Sequence, residues 1–278
     1  MIRRKLVNAV MFTITGACTV LAVSILFFIL GYLIVYGGKS ISWSFLTQLP
    51  KPEGDVGGGM ANAILGTGEL LLFTTLMGIP VGFLAGVYLA EFGGAVFGSV
   101  VRYAMDLLNG VPSIVVGLFA YAIVVVPMRH FSAMAGAVAL SVMVIPITVR
   151  STEQFLRAIP DTLREGALAL GASKARMVAT VVIPAATKGI VTGIILAIAR
   201  VAGEAAPLLF TAFNNQFWSN GLSQPVASLP MMVYMYAISP YDDLHRQAWA
   251  AGLVLLILML GANIGVRLVL SRGTESHA

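Results

Sequence analysis

Charge is what this sequence has least of. Only 10% of its residues are Asp, Glu, Lys or Arg, 58% are hydrophobic, and the mean hydropathy is +0.92. That balance excludes an ordinary water-soluble domain and leaves a polytopic membrane protein. Cysteine is nearly absent: Cys18 stands alone in an apolar run, which excludes an internal disulfide and redox chemistry built on one. The histidines His130, His245 and His277 form no metal-ligand spacing. No G-x4-G-K-[ST] phosphate loop occurs, so ATP is not hydrolysed on such a motif here, and no catalytic or metal-binding residue is assigned. The net charge of +5 could suggest nucleic acid, but the basic residues flank apolar runs without interleaved aromatics, and we read them as topology.

What the chain has is apolar runs, at 10–36, 62–90, 101–126, 133–149, 189–212 and 247–270. Each is of a length to cross a hydrocarbon core of about 30 Å, so about six transmembrane helices and an all-α fold are expected. The first run follows Arg3, Arg4 and Lys5, is too long for a signal-peptide core and has no small-residue cleavage site, which predicts an uncleaved span. With the N-terminus inside, twelve Lys and Arg fall in inner segments and four in outer ones, which assigns both termini to the cytosol. The expected organisation is a tail and first span at 1–36, an external segment at 37–61, a core at 62–270 with a cytosolic loop at 150–188, and a tail at 271–278.

Some residues interrupt this pattern. In the external segment, Gly57-Gly58-Gly59 reads as a flexible link. The second span carries Glu69 near its outer end, read as solvated, and Gly78-Ile79-Pro80, which predicts a kink. In the third, Asn109, Pro112 and Ser113 fall within the inner half. Irregular backbone at that depth is tolerated where it is buried or lines a cavity, so this is either a cavity wall or a kinked helix whose side chains satisfy freed backbone groups. The outer loop 213–246, with Phe217, Trp218, Asn220 and Gly221, has room for a re-entrant or surface helix.

The fifth span holds Arg200. Counted from Gly189 at 1.5 Å per residue it lies about 16 Å deep, where an arginine costs about 2.5–3.5 kcal/mol on insertion scales. Glu204 stands at i+4, so on a continuous helix the two share a face. They are either a self-neutralising pair or part of an anion path, since the guanidinium fork can grip two oxygens of an oxyanion. A carboxylate beside it favours an anion that keeps a proton, such as monohydrogen or dihydrogen phosphate, over sulfate. Arg150 ends the fourth span, where the positive-inside rule alone would place a base.

The cytosolic stretch Glu165–Pro184, EGALALGASKARMVATVVIP, has its own architecture. Asp161 is placed to cap a helix from Thr162 to Leu170, Gly171 supplies a left-handed stop, Ser173 caps a second helix and Pro184 ends it. The result is a protruding knob suited to a groove in a partner.

Glu165, Ala167, Gly171 and Pro184 stand at the spacing E-x-A-x3-G-x12-P, which resembles the signature of permease subunits of ATP-binding-cassette importers. Gly166 replaces the usual Ala, and Val181 and Ile183 replace the usual Ile and Leu. Together with LLNGVPSIVVGLF at 107–119 and the Arg-x3-Glu-x2-Pro run at 200–207 followed by LLFTA, the chain is most similar to the phosphate-import permeases. The resemblance implies a type I importer permease fold in the inner membrane of a bacterium. It implies a heterodimer with a homologous second permease, two copies of a cytosolic ATPase that bind ATP and Mg, and an external phosphate-binding protein. It also implies a coupling helix that includes Glu165, Gly166, Ala167, Gly171 and Pro184. A substrate pathway with Arg200 and Arg150 follows from it, and Glu204, Asn109 and Ser113 join that pathway on the reading above. Sulfate, molybdate or phosphonate import, and an ion-coupled carrier using Glu204 or Glu69, are the alternatives.

Overall fold

The computed structural model describes residues 2–52, 55, 57–219 and 221–275; Asn220 and His277 lie outside them, and the C-terminal tail is described as far as Glu275. Among the described residues every regular element is helical. Five helices among the described residues are long and apolar enough to cross a membrane, and a bent pair of helices together is a sixth such stretch.

The organising contact lies between α3 (Ala61–Glu91) and α7 (Ala133–Arg157), which run parallel. Gly78, Gly82 and Gly86 recur every fourth residue along α3 and face Ser141, Thr148 and Thr152 of α7. A Cβ on Gly82 would lie 2.7 Å from the Thr148 Cβ, and one on Gly86 2.6 Å from the Thr152 Cβ. In lipid, where apolar side chains gain little by leaving the solvent, such close backbone approach is what binds helices. Pro80 is carried inside α3 without a break in the helix.

The third span departs from a single helix. α4 (Ala95–Gly110) and α5 (Ser113–Ala120) are joined by Val111 and Pro112, and the axes turn through 102°. Pro112 has no N–H to continue the ladder and drives Val111 to φ −70°, ψ 131°. After α5 a wide turn at Tyr121–Val125 leads into α6 (Val126–Met128). Arg102 of α4 bonds to Leu89 and Glu153 at the C-terminal ends of α3 and α7, whereas Ser132, beyond α6, caps the start of α7. The bent pair therefore crosses once, from one end of the bundle to the other.

The fifth span also differs from expectation. The apolar run 189–212 is not one helix: α9 (Lys174–Met177), a wide turn at Val178–Val182 and α10 (Ile183–Ala202) run together, and the helix stops at Gly203. Pro184 does not end the second helix of the knob. It sits in the first turn of α10, where the wide turn before it relieves the clash of its ring with the preceding turn. Hydropathy missed helix continuity through exposed Lys188.

The remaining elements close the outer side. α1 (Ile2–Ser40) lies against α13 (Asp242–Glu275) through Gly37 and a Tyr32–Trp249 edge contact at 4.9 Å; most of its surface is exposed. α2 (Trp43–Thr47) sends Phe45 into a core with Met60 at the cap of α3, Ala63 in its first turn and the outer part of α13. The glycine run is no loose link: Gly57 and Gly58 adopt φ +91° and +89°, and a Cβ on Gly59 would lie within 2.6 Å of three carbonyls. α11 (Ala206–Leu209) packs on α5, with Pro207 against Gly117. The outer loop contributes α12 (Leu229–Ala237), whose Met231 and Met232 are buried and whose first N–H is accepted by the Thr67 hydroxyl, 2.8 Å away.

Gly86→Ala forces Thr152 to give way and is expected to destabilise the permease by about 1–3 kcal/mol. Gly166→Ala in α8 (Asp161–Ala169) adds its methyl in open space and should stabilise by about 0.5–1 kcal/mol. Thermal unfolding in detergent checks both: the midpoint falls for the first and rises for the second.

Candidate translocation site and coupling surface

The break in the third span delivers Asn109 to the last turn of α10. Leu108, Asn109 and Val111, Met143 and Ile147 of α7, and Arg200 line one small cleft of about 20 Å³. Met143 and Ile147 lie halfway along α7, so Arg200 is level with the middle of the bundle. It is exposed and makes no ion pair among the described residues. A volume of this size holds about one water molecule and no tetrahedral oxyanion.

Glu204 is not among the residues that line this cleft. The i,i+4 argument required a helix through both residues, but α10 ends at Ala202, Glu204 lies half-buried past the Gly203 stop, and no ion pair joins it to Arg200. Ser113 opens α5 on the far side of the bend and is not among the residues lining the cleft.

Arg150 belongs to a larger charge network at the cytosolic end. Its guanidinium grips Asp106 of α4 through both oxygens, with Nε 2.8 Å from Oδ1, and its Nη1 is 3.8 Å from Oε2 of Glu153. Glu153 is buried and also meets Arg102 at 2.6 Å and Arg157 at 3.0 Å. Arg102 and Arg157 both donate to the Leu89 carbonyl near the end of α3, at 3.2 and 3.4 Å, where the helix dipole favours cations. Sequence reasoning missed Glu153, because the apolar run ends at 149 while α7 runs on to Arg157. The spacing of Arg150, Glu153 and Arg157 was the available signal.

The knob forms as a helix, a turn and a helix. Gly171 takes φ +82° and the Ser173 hydroxyl accepts from the Arg176 N–H. The cap before α8 is Pro160, not Asp161, which lies in the first turn and pairs with Arg164 at 3.2 Å. Ala167 packs inward beside Val178 and Val182, whereas Glu165 is exposed and Leu170 is 90% exposed. Arg164 ties the knob down: it pairs with buried Glu91 at 2.9 Å, which pushes its pKa further up, and donates to the carbonyls of Leu156 and Ile159. Lys174 rests 4.8 Å above the Phe92 ring. The knob is thus held to α3 as well as to the spans that precede and follow it.

An all-helical bundle with a broken span, an intramembrane arginine and a strapped cytosolic knob is the build of an importer permease. The description "Binding-protein-dependent transport system inner membrane component" matches residues 78–273, and the chain belongs to that family. Among its relatives, the phosphate transport system permease protein PstA of Yersinia pestis is 43% identical over 270 residues, 97% of this chain and 92% of that protein. PstA of Haemophilus influenzae is 41% identical over 95% of this chain and 94% of its own length. The probable PstA of Methanocaldococcus jannaschii is 36% identical over 96% of this chain and 95% of its own length.

Solved structures show the same fold. An inward-facing MetNI methionine ABC transporter aligns with TM-score 0.58 at 21% identity, covering 76% of this chain and 94% of that one. A bacterial ABC transporter that imports the acidic polysaccharide alginate aligns with TM-score 0.59 at 14% identity, covering 86% and 88%. The chain is therefore a multi-pass inner-membrane permease subunit of an ATP-binding-cassette importer of the PstA kind, and it works with an ATPase carried on a partner.

Arg164→Ala leaves the Glu91 carboxylate buried and unpaired, a change worth about 3–5 kcal/mol locally. Amide hydrogen exchange across 159–173 should rise sharply in this variant and return toward the unmodified level in an Arg164→Met, Glu91→Gln double variant.

Proposed function

We propose that this chain forms half of the translocation path of an ATP-driven phosphate importer, with Arg200 as the anion ligand at mid-depth. The observation that carries the reading is the guanidinium of Arg200, which has no ion-pair partner among the described residues and opens onto a cleft too small to enclose an oxyanion. The opposite wall then comes from a second, homologous permease, and an external binding protein delivers the anion. One of the two copies of the ATPase takes the exposed edge of α8, with Glu165, Gly166, Ala167 and Gly171 as the coupling helix and Pro184 at the start of the span it moves. Nucleotide binding biases which side of the path is open.

Phosphate as cargo is supported by the relatives, which are phosphate transport permeases over nearly the whole chain. Glu204 gives it no support in this conformation, since no ion pair joins its carboxylate to Arg200. Asn109 shares the cleft and is placed to donate a hydrogen bond to a bound anion, whereas Ser113 and Glu204 would join the path only after α5 or the 203–205 turn moves.

The test is ATP-dependent uptake of labelled phosphate, sulfate and molybdate by the reconstituted complex. Phosphate alone should be accumulated. Arg200→Ala removes charged hydrogen bonds worth about 1.5–3 kcal/mol and should cut uptake by roughly 10–100-fold. Retained phosphate uptake in that variant removes Arg200 from the path; accumulation of sulfate or molybdate in place of phosphate reassigns the cargo.

A further inference from the structure

Arg102, Asp106 and Asn109 lie at i, i+4 and i+7 on α4, a spacing that puts all three on one face. Each meets a different charged residue across the bundle: Arg102 meets Glu153, Asp106 meets Arg150, and Asn109 shares a cleft with Arg200. On α7, Arg150 is three residues beyond Ile147, which lines that cleft. On both helices the Arg150–Asp106 pair is therefore about 5 Å, close to one turn, further toward the cytosol than Arg200.

The two carboxylates of this network are not alike. Glu153 is 4% exposed and is gripped by Arg102 and Arg157, so it is a fixed countercharge. Asp106 is 54% exposed, Arg150 is its one ion-pair partner among the described residues, and no described residue of this subunit covers the pair on one side. A half-solvated ion pair is weak, and its acceptor can be replaced by another with two suitably spaced oxygens. With Asp106 swung away, three guanidinium groups face a single carboxylate, leaving two positive charges in excess.

We propose that Asp106 is a built-in stand-in for the transported anion. In the conformation described here its carboxylate fills the Arg150 fork. An oxyanion leaving Arg200 for the cytosol displaces it, is held for one step by Arg150 against the surplus positive charge, and is then expelled as Asp106 returns. Asp106 thereby sets how strongly the inner half of the path retains its cargo. The proposal rests on the phosphate-import reading above and adds to it a specificity-determining residue with a competing, not a binding, role.

The experiment uses the complete transporter in vesicles, with ATP and unlabelled inorganic phosphate trapped on the ATPase side and labelled phosphate supplied outside with the binding protein. The quantity read is the internal phosphate concentration that halves uptake. Asp106→Asn removes the competitor and should lower that concentration by roughly fivefold. Asp106→Glu retains a carboxylate and should lie near the unmodified value. In an Arg150→Gln background the Asp106→Asn shift should vanish.

A purely structural role for Asp106 would lower the yield of complex or the maximal rate without moving the half-inhibitory concentration, and that result overturns the proposal. So does a shift that persists without Arg150. An unmodified complex that accumulates no phosphate overturns the phosphate-import reading and this inference together. Normal phosphate uptake with an unmoved half-inhibitory concentration overturns the inference alone.

Discussion

The close approach of α3 and α7 is the constraint on which the other positions depend. Because Gly82 and Gly86 let Thr148 and Thr152 come within the space of a missing methyl, the two helices are fixed in register as well as in distance. That register sets Glu153 of α7 beside the end of α3, where Arg102 and Arg157 reach both its carboxylate and the Leu89 carbonyl. It also sets the α7 positions from which Met143, Ile147 and Arg150 face α4. A slip by one helical turn would move the charge network away from the helix end that stabilises it. The small-residue seam of glycines and hydroxyl side chains carries no charge, yet the placement of the Glu153 network at the cytosolic end follows from it.

Charge within this bundle is treated in two ways, and the contrast is informative. Glu153 is surrounded by three arginines and Glu91 is held by Arg164, which is how a carboxylate is made tolerable away from water. Arg200 has no such partner among the described residues, although it lies level with the middle of α7. Its countercharge is left to solvent or to a ligand, and an unneutralised cation at that depth suits a subunit that meets its cargo only in passing. The 102° bend beside it has a matching cause: Pro112 and the extended Val111 open the backbone at the depth where Asn109 must face inward.

Much of this was legible in the sequence because its signals are local. Gly171 and Ser173 announced the turn and the second helix of the knob, Pro112 marked the broken span, and the apolar runs located the crossings. What failed was inference that needed helix continuity. Hydropathy ended the fourth span at 149 and began the fifth at 189, since Arg150, Glu153 and Lys188 look like loop residues when read one by one. In the fold those helices extend past the apolar zone, and α10 stops before Glu204, which undid the expected Arg200–Glu204 face. The pairs Arg164–Glu91, Arg102–Glu153 and Arg150–Asp106 join residues far apart in the chain, and no spacing rule reaches across them.

The Arg164–Glu91 bond also determines how a mechanical load would spread through the protein. A push on α8 is not borne by the continuous chain alone. It enters α3 through Glu91, α7 through the Leu156 carbonyl and α10 through the α9 turn, so a parallel pair and an antiparallel neighbour share it at their common end. Three rods clamped at one end tilt as a slab and do not slide individually. In such a lever the displacement is smallest at the clamp and grows with distance, so Arg200, near the far end of α10, would travel further than the knob that drives it.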